Sequence, residues 1–111
     1  MTDAELLRAF AAGTLPPVGF DHREHVRVAW LLLRRHGRDE AGRRMAADLR
    51  AITGAAGVPD KFDATLTEAW CDRIAAAIAR RPEVDDFTAF AAAEPDLLRR
   101  DQSARLAAAG T

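Results

Sequence analysis

A small all-α bundle of four to six helices is what these 111 residues predict, and three features carry that expectation. Alanine, leucine, arginine and glutamate dominate, all strong helix formers, while the β-branched and aromatic runs that strands favour are missing. Large apolar residues recur at three- and four-residue spacing in several segments. Capping patterns open these segments, and glycine or proline closes them. A chain of this length buries roughly two-thirds of the surface it exposes when unfolded, enough for one core without staples. Residues 1–111 are therefore read as one domain, without repeat or linker.

The elements follow in order. Thr2-Asp3-Ala4-Glu5 has the form of a capping box, and a short helix should follow it with Leu6, Leu7 and Phe10 inward, ending at Gly13. Leu15-Pro16-Pro17 cannot continue it. Asp21 with Glu24 is a second capping pair, and Phe20 stands outside it as half of a hydrophobic staple. The helix they open has Val26, Ala29, Trp30 and Leu33 as its buried stripe. Gly37 should cap it, with Arg34, Arg35 and His36 in the last turn where the dipole favours cations. A third helix is expected from about Asp39 to Thr53 on the stripe Met45, Leu49 and Ile52. Gly54 to Asp63 reads as irregular. Thr65-Leu66-Thr67-Glu68 then has a capping-box pattern, and the helix it opens buries Leu66, Trp70, Ile74, Ala77 and Ile78 before Pro82 stops it. Phe87 and Phe90 mark a short fifth helix, and Pro95 starts a last one through Leu97 and Leu98. The tail 101–111 has few large apolar anchors and is expected to fray.

Composition narrows the function classes. The chain has 16 basic and 17 acidic residues, without the basic excess that usually accompanies binding to nucleic-acid phosphates. A lone cysteine, Cys71, forms no internal disulfide and no cysteine-pair metal motif, and it is read as a small buried hydrophobe. No apolar run approaches the roughly 18 residues of a membrane span. Asp3 and Glu5 stand where a signal peptide would be basic. A cytoplasmic protein with neither nucleic acid nor membrane as partner is expected.

The most site-like feature is a histidine pair. At about 100° per residue, His22 falls within the stripe of the second helix and His25 lies about 60° from it. The two are one turn apart, with Cβ atoms roughly 5–6 Å from each other. Imidazoles so placed can bind one metal ion or act on a substrate as acid and base. Glu24 points about 160° away from His22, toward solvent, so His-Arg-Glu-His is not the zinc-protease pattern, which needs histidines at i and i+4. The structural alternative is two ordinary first-turn histidines, yet burying both rings requires partners for four nitrogens. His36 lies about 16 Å further along the axis than His25 and belongs to the C-terminal cap.

A second group is Lys61-Phe62-Asp63-Ala64-Thr65-Leu66-Thr67. Asp63 and Thr67 fall on the side of Leu66 and Trp70, where they could orient an imidazole or hold a polar ligand. Asp63 and Thr65 also compete as simple N-caps. Trp30 and Trp70 face inward, where indoles more often fill a core than stack on a ligand.

Phe20-Asp21-His22-Arg23-Glu24-His25-Val26 with Ala29-Trp30, followed by Lys61-Phe62-Asp63-Ala64-Thr65-Leu66-Thr67, resembles a group of small uncharacterised bacterial all-helical proteins. Their pattern is Phe-x-His-x-x-His with Ala-Trp after it, then Lys-Tyr-His-x-Thr-Ile/Leu-Thr about 35 residues on. Phe87-Thr88-Ala89-Phe90 and Glu94-Pro95-Asp96-Leu97-Leu98 fit the tail of that group loosely. Where the second motif has histidine, this chain has Asp63, so a three-histidine cluster becomes His22, His25 and Asp63. The resemblance covers roughly residues 18–98 and implies no established activity.

The leading expectation is a small enzyme that needs no cofactor and performs acid–base chemistry on a small organic molecule, in a bacterial biosynthetic setting. His22 or His25 would move the proton, Asp63 would fix the tautomer, and Trp30, Thr67 and Trp70 would contact substrate. A condensation, cyclisation or isomerisation needs no more machinery than this. One alternative is a single divalent metal ion on His22, His25 and Asp63, since two histidines and a carboxylate can hold one. Another is a non-catalytic helical module that docks a partner protein. A homodimer is compatible with all three.

Overall fold

The capping box at Thr2 forms as its sequence demands. The Thr2 hydroxyl accepts from the Glu5 amide at 3.1 Å, and the Glu5 carboxylate accepts from the Thr2 amide at 3.4 Å. Hydrogen bonding from Thr2, its side chain first and its backbone amide second, holds the Glu5 carboxyl below its ordinary range. In this computed structural model, which describes residues 2–14 and 22–99, α1 spans Asp3–Ala12, with Leu6 and Phe10 buried, and ends at Gly13 in the left-handed conformation. The stretch Leu15-Pro16-Pro17, the staple and cap at Phe20 and Asp21, and the tail 101–111 lie outside the described residues.

The long helices follow from their stripes. α2 spans His22–His36 and buries Val26, Val28, Ala29, Trp30, Leu32 and Leu33, a wider face than the four positions expected. Gly37 closes it, donating its N–H to the Leu33 carbonyl at 2.9 Å. The same residue opens α3, Arg38–Ala55, with φ 83° and ψ 174°. That backbone region is essentially open to glycine alone. One residue thus folds α3 back onto α2. α3 begins one residue before, and ends two residues after, its expected bounds; Ala41, Gly42 and Met45 are buried, and Leu49 and Ile52 pack partly buried against them.

A short 3₁₀ turn, Pro59–Lys61, leads into α4, Ala64–Arg80. The cap is Asp63, whose carboxylate accepts from the Leu66 amide at 2.9 Å. This corrects the expected start at Thr65: an aspartate two positions earlier reaches the orphan N–H groups first, and Thr65 becomes a helix-interior residue. α4 ends just before Pro82, and α5, Phe87–Ala93, is capped by the Asp86 carboxylate. Beyond it Pro95–Leu98 forms only a 3₁₀ turn rather than a sixth α-helix.

Five α-helices and no strand make up the described residues, so the fold is a small all-α domain. α2 is its centre, packing against α1, α3, α4 and the Pro95–Leu98 turn. Phe10, Phe90, Leu6 and Ile74 are fully buried; side chains of this kind contribute about 1.5–3 kcal/mol each on burial. Exposed ion pairs tie neighbouring elements: Arg27 with Asp3 at 2.6 Å joins α2 to α1, and Arg38 with Asp72 at 2.6 Å joins α3 to α4. No described helix is long and apolar enough to cross a membrane.

Gly37→Ala should lower stability by about 1–3 kcal/mol, because no L side chain is comfortable at this backbone geometry. Urea denaturation of the variant measures it, and an unchanged midpoint would show that the α2–α3 connection adapts freely.

Candidate functional site

α2, α3 and α4 converge without filling the space between their ends. A hollow of about 330 Å³ is left there, and both His22 and His25 border it. The packing explains the gap. α2 presents Val26 and Ala29, α3 presents Met45 and Leu49, and α4 presents Trp70 and Ile74. Beyond them the first turn of α2 carries His22 and His25 rather than further large apolar side chains, and that of α4 offers Leu66 and Thr67. Lys61, Phe62 and Asp63 close the remaining side.

His22 is half-buried and His25 is exposed at the edge of the hollow. The His22 ring stands edge-on to Trp70, with ring centroids 4.8 Å apart. Its Nε2 lies 2.8 Å from the Leu97 carbonyl oxygen. A carbonyl can only accept, so Nε2 carries the hydrogen, and in the neutral ring Nδ1 holds the lone pair. The neutral tautomer is therefore fixed by a backbone group 75 positions away.

This corrects the role expected for Asp63. Its carboxylate borders the hollow but turns back to cap α4 through the Leu66 amide, and the orienting task falls to Leu97. Thr67 also borders the hollow. Its hydroxyl donates to the Asp63 carbonyl at 2.8 Å, which leaves the oxygen lone pairs for a ligand. Among the described residues no three of histidine, cysteine, aspartate and glutamate come together to hold a metal ion, so the trio His22, His25 and Asp63 is not assembled as a ligand set.

Trp30 is the other correction. It is 3% exposed and packs on Phe87 and Phe90, with centroids 5.6 and 5.8 Å away, while the Arg34 guanidinium covers it. Trp30 sits roughly 12 Å further along the axis of α2 than His22, which brings it to α5 and away from the hollow. Its indole N–H finds no hydrogen-bond partner among the described residues, so Trp30 acts through packing alone. Glu24, expected in solvent, is half-buried and pairs with Arg27 at 3.4 Å.

The Leu97 carbonyl escaped the sequence reading, whereas Cys71 is the small buried hydrophobe that was expected. The Leu97 carbonyl leaves no trace in residue identity. Cys71, on the edge of the α4 stripe, is 1% exposed and lines the hollow. Burial pushes its thiol up to about 11, so it serves as an apolar wall. Comparison with protein-family models, with curated proteins and with solved structures found no match.

Two outcomes test this geometry. Asp63→Ala should cost about 0.5–2 kcal/mol through loss of the cap while Asp63→Asn costs much less; equal losses in thermal unfolding would mean that the charge matters rather than the cap. Cys71 should resist iodoacetamide at pH near 8, because the thiolate is the nucleophile and the raised pKa keeps it scarce until pH approaches about 11. Labelling at the rate of free cysteine, followed by mass spectrometry, would contradict this.

Proposed function

We propose that the protein binds a small organic molecule in the hollow between α2, α3 and α4 and catalyses proton transfer on it, with His22 as the principal base and His25 as a second proton carrier at the edge. One observation carries the reading: a half-buried histidine with a defined tautomer borders a hollow of about 330 Å³. Small-molecule sites are typically apolar clefts of about this size with a few placed polar groups.

The chemistry follows from the ring. Nδ1 of neutral His22 takes a proton from an acidic C–H, N–H or O–H of the substrate. The Nε2–H bond to Leu97 persists in the imidazolium, where it becomes a stronger, charge-assisted bond. Trp70 packs against the same imidazole, with ring centroids 4.8 Å apart. The proton then returns to the substrate at the same or another atom, directly or through His25. Isomerisations, cyclisations and condensations that begin with deprotonation next to a carbonyl fall within this scheme, and it requires no cofactor. A divalent ion in this hollow would need a third donor beside the histidines, and the described residues offer no such cluster. The docking-module alternative expects an exposed apolar patch and no enclosed polar pocket; a hollow bordered by two imidazoles, Lys61 and Thr67 favours the small-molecule reading over it. The resemblance to small bacterial helical proteins fits a cytoplasmic metabolic setting for the same activity.

The test is solvent exchange. In D₂O, the protein should catalyse deuterium uptake at activated C–H positions in a panel of small ketones, oxo acids and β-dicarbonyl compounds, followed by proton NMR. His22→Gln keeps a donor for Leu97 but no base, and should lower the exchange rate by about 10²–10⁴-fold with little change in melting temperature. Full exchange in both His22→Gln and His25→Ala would dismiss the histidines as the proton carriers.

A further inference from the structure

The charges around the hollow point to the kind of molecule it takes. Its body is apolar: Val26, Ala29, Met45, Leu49, Leu66 and Ile74 line it. Its polar fringe includes an ammonium, two imidazoles and the Thr67 hydroxyl. Lys61, His22 and His25 border the hollow directly. Two further cations cover its aromatic walls, Arg50 lying 5.0 Å from the centre of the Phe62 ring and Arg73 lying 5.8 Å from that of Trp70. The first turns of two helices also meet there, since His22 and His25 belong to α2 and Leu66 and Thr67 to α4. Each helix presents the positive end of its dipole at its start.

Three acidic side chains at the start and on the body of α4 are engaged elsewhere. Asp63, the acidic residue among those that border the hollow, is turned onto the α4 N-terminus. Glu68 and Asp72 bind Arg38, with Asp72 2.6 Å from its Nε. Lys61 is thus the ammonium at a fringe whose bordering carboxylate, Asp63, is turned onto a helix N-terminus, in a chain that is nearly neutral as a whole, with a formal net charge of −1.

We infer that the ligand is an apolar molecule ending in a carboxylate, its hydrocarbon or aromatic body in the hollow and its carboxylate beside Lys61, at the fringe and clear of the His22 Nδ1 lone pair. The inference rests on the small-molecule reading of this hollow and adds the chemical class to it. An apolar cavity of about 150 Å³ accommodates benzene, so about twice that volume accommodates a two-ring aromatic acid or a medium-chain fatty acid. The carboxylate also suits the proposed chemistry: Lys61 holds one end of the molecule and sets its other atoms beside His22.

A matched pair of probes separates the charge from the body. Isothermal titration of the full chain with 2-naphthoate and its isosteric amide 2-naphthamide, at neutral pH and low salt, should give roughly tenfold tighter binding of the carboxylate. Lys61→Ala, at an exposed position, should weaken naphthoate by about two- to fivefold and leave naphthamide unchanged. Methyl NMR shifts of Met45 and Ile74 show that both probes enter the hollow. Equal or tighter binding of the amide, or a Lys61→Ala variant with an unchanged ratio, overturns the carboxylate class; methyl shifts with the amide would at the same time uphold a small-molecule hollow. No shift with either probe at about 1 mM, a limit corresponding to roughly 4 kcal/mol of binding, also overturns it. Deuterium exchange into other compounds would then still report on the histidines independently.

Discussion

The structure is organised by the burial of one helix. α2 has large apolar residues over so much of its surface that α1, α3, α4 and the Pro95–Leu98 turn all pack against it. Such a helix is stable only when enclosed, because its own hydrogen bonds contribute little without tertiary packing. The enclosure is tight along its middle, where Val26, Val28, Ala29 and Trp30 are almost wholly covered. It loosens at the first turn, where polar rings replace aliphatic side chains. The hollow is therefore a consequence of where the apolar stripe of α2 stops, and the histidines are the residues standing at that point.

The same arrangement couples distant parts of the chain. The Pro95–Leu98 turn buries Leu97 and offers the carbonyl of that residue to His22. The His22 ring is thus oriented by backbone, which cannot titrate. α5 and Trp30 hold the turn in place from the other side: Phe87, Phe90 and Trp30 form one aromatic cluster, with ring centroids 5.6 to 6.3 Å apart. Trp30 serves the site at a distance, by fixing the element that fixes His22.

Electrostatics complete the picture. The near-equal numbers of acids and bases conceal an uneven distribution, because acids are spent on structural tasks. Asp63 and Asp86 cap helices, Asp3 pairs with Arg27 between elements, and Glu68 and Asp72 share Arg38. Most of these pairs are exposed and contribute only about 0–1 kcal/mol each.

The sequence by itself determined the helical class, the order of the elements and the inward direction of His22, because apolar spacing and capping residues are local signals read within a few turns. It also brought the segment around Lys61, Phe62 and Asp63 to notice, and that segment does border the same hollow as the histidines. Only the tertiary structure decided what each group does there. A helical wheel gives a direction around the axis but not which neighbour stands opposite, so Trp30 and Trp70 looked alike until one met α5 and the other met His22. Asp63 could serve a cap or an imidazole with equal local logic, and the reach of its carboxylate to the Leu66 amide chose the cap. The Leu97 carbonyl could not be foreseen at all, since every residue has the same backbone oxygen to offer, and this contact comes from folding across 75 positions.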